Sequence, residues 1–399
     1  MSNNLKHYNC TMTVLGPVHI GSGENYRRNE YIYNNRDNSI SIMDIGKIYQ
    51  YFSDKGRASE FESYYSDFRK KSIPLGNWLL SRRITEEQYR NWIKYKMTAG
   101  DSIVVLEGGN QTYSDILSFI KDPYSLPYVP GSSIKGMLRT ALAIYEIEKM
   151  NNRKKLIEPI FSHYEKYSLL LDDKDKKIFK KNNKDTLKRN INRIENEIFN
   201  TLSFSNTKND AVNSSLSRLI VGDSKPLSPD DLTVCKKYDV RPDGKKSEIP
   251  IFKECLKPGT KIQFEITIDE SMNTQGKKIP YSIEDIKKAL KLMNTVISKR
   301  FIRHFDPKYD VAPDETIGWL GSCGFTTKTI IQSFYDDSEE DQALKLTQNI
   351  FKYNLNNKIY NEHKHNLDIS KFNVSPHTRK QTVFDNTRYD FGKVKIDFA

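Results

Sequence analysis

Residues 8–15 alternate in polarity, with Tyr8, Cys10, Met12 and Val14 set against Asn9, Thr11 and Thr13. That period of two is the pattern of a half-buried strand. Gly16-Pro17 ends it, and Val18-His19-Ile20-Gly21-Ser22-Gly23 follows as a glycine loop. Its backbone can approach a phosphate closely because no Cβ intervenes. Glu30–Tyr33 and Ser39–Met43 read as a hairpin around Asn34-Asn35-Arg36-Asp37. From Asp44 to Lys121 the pattern turns helical and aromatic, with Ile48, Tyr51, Phe52, Trp78, Leu79, Tyr89, Trp92 and Ile93. This is a helical insertion, and its rings belong to a core rather than to base-stacking platforms. Pro130-Gly131 then stops the chain, Ser132 or Ser133 offers a cap, and Met137, Leu138, Ala141, Leu142 and Tyr145 recur at helical spacing. A capped helix from about Ser132 is expected.

After Glu148 a second insertion runs to about Asn200, and its stretch Asp172–Lys184 is lysine-dense and of low complexity, which reads as a solvated helix or a disordered run. Ser217–Lys225 reads as a buried strand ending in a turn. Leu232–Val240 and Glu248–Phe252 flank Pro242-Asp243-Gly244 and form a hairpin. Lys261–Ile268 alternates cleanly as a strand. Ser282 caps an amphipathic helix through Ile283, Ile286, Leu290, Met293 and Ile297. Thr316–Thr329 holds a further glycine loop with Lys328 behind it, and Phe391–Phe398 reads as an edge strand.

The core order is therefore β-α-β-β-α-β, which predicts an α+β fold with a ferredoxin-like, RRM-like core carrying large helical insertions. The parse is 1–43 for the first strand, loop and hairpin, 44–121 for the helical insertion, 122–149 for the central helix, and 150–200 for the lysine-rich insertion. Residues 201–330 complete the core, and 331–399 are a C-terminal extension. No aromatic RNP consensus appears, so bases are not expected to stack on the sheet face.

Charge adds a partner class. Lys plus Arg outnumber Asp plus Glu by 63 to 51, a formal charge of +12, and the pI is near 9.2. That balance suits a polyanion. Four scattered cysteines, Cys10, Cys235, Cys255 and Cys323, make neither a zinc ribbon nor a disulfide framework and fit a reducing cytoplasm. The polar start and the absence of a long apolar run give no signal peptide and no membrane span.

Lys135 and Arg139 lie four apart on the exposed side of the central helix and repel by roughly 0.2–0.5 kcal/mol. An anion, favoured already by the helix N-terminus, would relieve them, and a nucleic-acid backbone is the natural choice. Gly131 and Gly136 bracket four residues, but Met137-Leu138 stands where a P-loop needs Lys-Ser or Lys-Thr, so an NTPase is excluded. His19 contacts a phosphate or 2′-hydroxyl, acts as a general acid-base, or packs beneath its loop. Among the seven histidines only His363-Lys364-His365 has ligand-like spacing, and with no cysteine or carboxylate cluster seen nearby no metal and no cofactor is expected.

Pro130-Gly-Ser-Ser-Ile-Lys-Gly-Met-Leu-Arg-Thr-Ala141 resembles the signature of the RAMP superfamily, the RNA-binding subunits of type III CRISPR effector complexes. Leu15-Gly-Pro-Val-His-Ile-Gly-Ser-Gly23, the acidic-serine turn after Val221 and the loop at 316–329 resemble further motifs of that superfamily, and Glu254-Cys-Leu-Lys-Pro-Gly259 resembles its Csm branch. The resemblance implies a non-catalytic subunit of a type III-A Csm complex that caps the filament at the 3′ end of the crRNA and takes part in its maturation and in antiviral defence. It implies as partners the crRNA backbone, other Csm subunits, in particular the repeating backbone subunit, and a crRNA-trimming host nuclease. The RNA-binding residues expected are His19, Gly21, Ser22, Gly23, Arg27, Arg28, Ser132, Ser133, Lys135, Arg139, Gly321, Gly324, Thr327 and Lys328. The alternative is a metal-dependent endoribonuclease. Backbone subunits of the superfamily cut with a loop aspartate, but here only Glu24 and Glu30 lie between Gly23 and Tyr33, and a longer arm disturbs a geometry that must hold to about an ångström.

Overall fold

A computed structural model describes residues 5–66, 73–100, 115–207, 210–270, 281–306 and 314–399. Among these residues the chain builds two sheets. The first has five strands in the order Ile317–Trp319, Lys393–Phe398, Leu5–Val14, Lys261–Asp269 and Leu219–Val221, each antiparallel to its neighbours. Alternation sets the register. Cys10 and Met12 lie opposite Phe264 and Ile262, and all four side chains are buried. They share one core with the helices Gly131–Lys149 and Ile283–Arg300, through residues such as Ile134, Leu138, Ile286 and Leu290. Ser282 and Asp285 close a capping box on the second helix, as its sequence predicts.

The ferredoxin-like order of strand, helix, strand, strand, helix is present, but its closing strand is not the one near 316. Lys393–Phe398 occupies the place beside Leu5–Val14 and leaves Ile317–Trp319 at the rim. The expected C-terminal edge strand is thus an interior strand, with Lys395 paired to Thr13 on one side and Ile317 on the other. Val394 and Ile396 point inward and are buried, whereas the lysines between them belong to the other face and make the stretch look exposed. Conversely, Leu219–Val221 is short and at the rim, with Ile220 exposed, where a buried strand was expected.

The second sheet was foreseen only as two hairpins. It has nine strands, seven of them along the path Gly21–Tyr26, Ile116–Phe119, Lys246–Leu256, Leu232–Val240, Ile93–Thr98, Ser39–Met43 and Tyr31–Asn34. Arg379–Phe384 pairs with the far end of Leu232–Val240, and Thr387–Asp390 with Arg379–Phe384. The expected helical segment 44–121 therefore ends early, with helices at Ile45–Asp54, Ala58–Tyr65, Leu75–Ser81 and Glu86–Tyr89 and strands after them. Lys94 and Lys96 are exposed while Tyr95 and Met97 are buried, a period of two that helical reading overlooked. The aromatics of the insertion do form a core of their own. Phe52 stacks on Phe61 at 5.7 Å and Tyr64 on Trp78 at 4.3 Å.

The lysine-rich insertion is helical, in two rods, Arg153–Ser168 and Asp173–Phe199. Asp172 caps the second by accepting from the Lys174 N–H, and Leu187, Ile194 and Ile198 give it one buried stripe. Among the described residues no helix is long and apolar enough to cross a membrane.

An interior C-terminal strand has a measurable consequence. Ile396→Ala is expected to cost about 2–4 kcal/mol in chemical denaturation, whereas Ile220→Ala, on an exposed rim position, costs under roughly 0.5 kcal/mol. Equal small losses would return Lys393–Phe398 to the rim.

Candidate nucleic-acid interface

The central helix begins at Gly131, with Pro130 as its N-cap residue and no side-chain cap, so neither Ser132 nor Ser133 plays the expected part. The turn after Val221 plays it instead. The Gly131 N–H donates to Asp223 Oδ1 at 2.7 Å, the Val129 N–H to Ser224 Oγ at 2.9 Å, and the Ser224 N–H to the Val129 carbonyl at 2.9 Å. A Cβ on Gly131 would stand 2.2 Å from the Val221 carbonyl oxygen, so only glycine allows this approach. Asp223 therefore places an internal carboxylate at the positive end of the helix.

A second internal anion meets Arg139, whose guanidinium donates to Glu195 at 2.6 Å and lies over the Phe199 ring, both on the helix Asp173–Phe199. The external partner expected for Arg139 is thus supplied in part from within. Lys135 is half-buried, and burial lowers its pKa. Ser132 is exposed and Ser133 half-buried.

Gly21-Ser22-Gly23 is not a free loop, because it opens the strand Gly21–Tyr26 against Ile116–Phe119. The register slips between Gly21 and Asn25, with Gly23 at φ +91°, and all three residues stay exposed. His19 is buried beneath them. Its Nδ1 bonds the Glu254 carbonyl at 2.7 Å, and a Cβ on Gly21 would lie 3.3 Å from its Nε2. Burial pushes the imidazole pKa down to about 4, helped by Lys253, Lys121 and Lys237 and opposed only by the Glu254 carbonyl. The ring is neutral at physiological pH, and of the three roles the sequence left open, packing is the one its geometry fulfils.

The third glycine loop docks directly on the first. The Ser322 N–H donates to the His19 carbonyl at 3.0 Å, and Gly321, at φ +70°, comes so close that a Cβ would lie 2.1 Å from that same oxygen. One turn earlier Gly318 faces Met137 of the central helix, 2.3 Å from Sδ to the position of a Cβ. Three motifs far apart in sequence are thereby brought into contact. Within the third loop Gly324 sits at φ +113° beside Lys380, Thr327 is buried with its hydroxyl donating to the Gly324 carbonyl, and Lys328 is exposed.

Arg27 and Arg28 belong to the junction with the helical insertion. The Arg27 N–H donates to Glu30 Oε2 at 2.8 Å, the Tyr65 hydroxyl to Glu30 Oε1 at 2.8 Å, and the Leu75 N–H to the Arg28 carbonyl at 3.1 Å. Glu24 is exposed and its N–H donates to Ser22 Oγ.

Sequence reasoning singled out Lys328 but missed the other lysines around these loops. Glu254 is fully buried and accepts from the Tyr95 hydroxyl at 2.5 Å, the Phe119 N–H at 2.7 Å and the Lys121 ammonium at 2.5 Å. Burial nevertheless lowers the Lys121 pKa, outweighing the pull of Glu254. Lys380 and Lys253 each add their charge to Lys237, and Lys328 adds its charge to Lys253. Lys380 pairs with Asp239 at 2.5 Å. Burial and the adjacent lysines push Lys237 down to about 8, with Asp239 pulling the other way. Lys253 is likewise lowered, by burial and then Lys328. Cations crowded this closely with incomplete internal neutralisation favour a polyanion. The signal was in the hairpin, where Lys236-Lys237 were read only for their strand pattern and Lys253 fell just past the end given to the second strand.

The histidine pair at 363–365 also differs from its sequence reading. A carboxylate does lie beside it, since His365 Nδ1 is 3.3 Å from Asp368 Oδ2.

The RAMP superfamily model matches residues 11–353. Similar proteins include CRISPR system Cms protein Csm5 of Mycobacterium tuberculosis, 26% identical over 409 aligned residues, which cover 99% of this chain and 98% of that one. Csm5 of Streptococcus thermophilus is 26% identical over 275 residues, covering 67% of this chain and 65% of its own length. Among solved structures, the crystal structure of T. onnurineus Csm5 superposes with a TM-score of 0.59 at 16% identity, covering 96% and 99% of the two chains. A chain of the cryo-EM structure of a Csm-crRNA-target RNA ternary complex of a type III-A system superposes with a TM-score of 0.61 at 19% identity, covering 98% and 100%. The two superpositions establish a common fold, and the family match runs from within the first strand, through both helices of the five-stranded core, to residue 353: the chain belongs to the RAMP superfamily.

Proposed function

We propose that this chain is the crRNA-binding subunit that caps a type III-A Csm effector complex at the 3′ end of the guide, takes part in crRNA maturation and antiviral defence, and cleaves no RNA itself. Its partners are the crRNA backbone, the other Csm subunits, in particular the repeating backbone subunit, and a host nuclease that trims the guide. The relatives named Csm5 and the neighbour taken from a Csm-crRNA-target RNA complex favour this reading. The observation that carries it is the docking of Gly321 on His19, where the charges of Lys121, Lys237 and Lys253 converge. Glycine backbones and ammonium groups hold phosphates without distinguishing bases, which suits a guide of any sequence. Exposed Gly21, Ser22 and Gly23, with Ser132, Ser133, Lys135, Gly324 and Lys328, would follow the ribose-phosphate chain. His19 and Thr327 would support it from beneath. Against cleavage stands the commitment of Glu30 to the Arg27 N–H and the Tyr65 hydroxyl. Among the described residues, no group of three metal-ligating side chains includes Glu24 or Glu30.

Filter binding of single-stranded RNA at two salt concentrations tests the interface. Lys237→Gln with Lys328→Ala is expected to weaken binding for every sequence alike and to flatten the log–log salt slope by roughly 1.4, about 0.7 per lost phosphate contact. Arg139→Ala should do less, since Glu195 already engages that guanidinium. Binding curves unmoved by charge reversal at Lys328 and Lys135 would make the chain a purely structural subunit.

Lys237 also gives the interface a pH dependence. The free protein loses this charge above about pH 8, whereas a bound phosphate holds the ammonium protonated, so binding takes up a proton and affinity falls as pH rises. The drop between pH 7 and 9 is expected to be about tenfold at most, and Lys237→Gln should remove it. Stability runs the other way. The unfolded chain binds more protons between pH 8 and the ordinary lysine value, so the free protein gains stability across that window.

Labelled single-stranded RNA incubated with the pure chain and Mg²⁺ or Mn²⁺ should stay intact. Cutting that disappears in Glu24→Ala would establish the nuclease instead.

A further inference from the structure

A cavity of about 780 Å³ opens beside the third glycine loop, between Gly324 and Phe325 on one side and His363, His365 and His377 on the other. Behind the two buried histidines lies Asp368, whose carboxylate is fully buried. No lysine or arginine pairs with Asp368 among the described residues; its oxygens meet His377 Nδ1 at 2.5 Å, the Ser375 hydroxyl at 2.7 Å and His365 Nδ1 at 3.3 Å. Burial works against the charge, but bonds from His365, His377 and Ser375 hold the carboxyl below its ordinary range.

Packing fixes each ring. His365 stacks on Phe351 at 4.7 Å and 7°, and His377 on Phe372 at 5.3 Å and 14°. The chain reaches this arrangement through a five-residue π-helical turn, Asp368–Phe372, and Asn373 in the left-handed region at φ 50°. Two imidazole nitrogens and a carboxylate oxygen, from positions 365, 368 and 377, thus lie within 4.8 Å of one another, all buried.

We propose that His365, Asp368 and His377 bind one divalent transition-metal ion, with zinc the best match. Two imidazoles with one carboxylate suit zinc and its first-row neighbours, while calcium and magnesium prefer oxygen alone. Tetrahedral bonds of about 2.0–2.1 Å place ligand atoms roughly 3.3–3.4 Å apart. The His365–Asp368 pair already stands at 3.3 Å. The His377 pair has to open, and His377 has the cavity beside it. The fourth position falls to water or to His363, whose ring lies 5.9 Å from that of His365 on the same cavity wall. Both imidazoles would bind through Nδ1 in this arrangement, the atoms that face Asp368. The ion would brace the segment 365–377 against the helix Glu340–Asn354, where Gln348 already donates to the His365 carbonyl at 3.0 Å and Phe351 touches Phe325 of the glycine loop at 5.1 Å.

The test uses the untagged full chain, saturated with Zn²⁺ or Co²⁺ and desalted. Elemental analysis should find about one metal per chain, the cobalt form should show visible d–d absorption, and zinc should raise the thermal midpoint by at least about 2 °C, reversed by EDTA. His377→Gln and Asp368→Asn should lose stoichiometry, absorption and the thermal response together, while His7→Gln, at a surface pair, keeps them. If the triad variants do not fold, zinc X-ray absorption on the unaltered chain decides, with two imidazoles in the coordination shell expected. Metal well below one per chain with no cobalt band, a shell without two imidazoles, or a folded His377→Gln chain that keeps the full signal would overturn the proposal and leave the triad a hydrogen-bonded lock.

Discussion

One backbone contact organises this molecule: Gly321 lying against the carbonyl of His19, with the Ser322 N–H closing the bond. The residue at 321 must be glycine twice over, since its φ is +70° and a Cβ would overlap the His19 oxygen. The contact joins a loop that follows the first strand to one that follows the rim strand Ile317–Trp319. Beneath it His19 is anchored to the Glu254 carbonyl, and the side chain of Glu254 gathers Tyr95, the Phe119 N–H and Lys121. The five-stranded and nine-stranded sheets are thereby tied at one point, and the lysines stand around it. A buried carboxylate with three donors is costly to break, so the platform beneath the proposed RNA path is rigid.

The charges on the central helix show why exposure in sequence is not availability in space. Lys135 and Arg139 look like an unrelieved pair, and the free N–H groups at the helix start look like an empty anion site. In the fold Asp223 reaches the Gly131 N–H and Glu195 reaches Arg139, from segments more than fifty residues downstream. Positive charge gathers instead on Lys237, Lys253 and Lys328, which the lysine-rich hairpin and the third loop bring within electrostatic reach of one another.

Much of the five-stranded core was legible because alternation and capping are local. Tyr8 to Val14, Lys261 to Ile268 and the Ser282 cap each carry their signal within a few residues. The second sheet was not, because Ile93–Thr98 and Ile116–Phe119 are short strands that follow a run of helices and pair with segments distant in the chain, one partner of each lying more than a hundred residues onward. The C-terminal strand was misplaced for a related reason. Lys393 and Lys395 make it read as a rim, and only the partners on both sides reveal an interior position. The glycine loops were recognised as motifs, yet the roles within them were not, since burial of His19 and Thr327 depends on what packs above them.

The account stands on the joined loops and their lysines forming a single surface for a ribose-phosphate chain. The most direct measurement is ultraviolet crosslinking of crRNA in the assembled complex, with the attached peptides of this chain mapped by mass spectrometry. The account predicts crosslinks at the 3′ part of the guide to peptides holding residues 21–26, 321–328 and 379–384. Crosslinks confined to the helix Asp173–Phe199, or to the helices between Ile45 and Tyr89, with none at the joined loops, would contradict it.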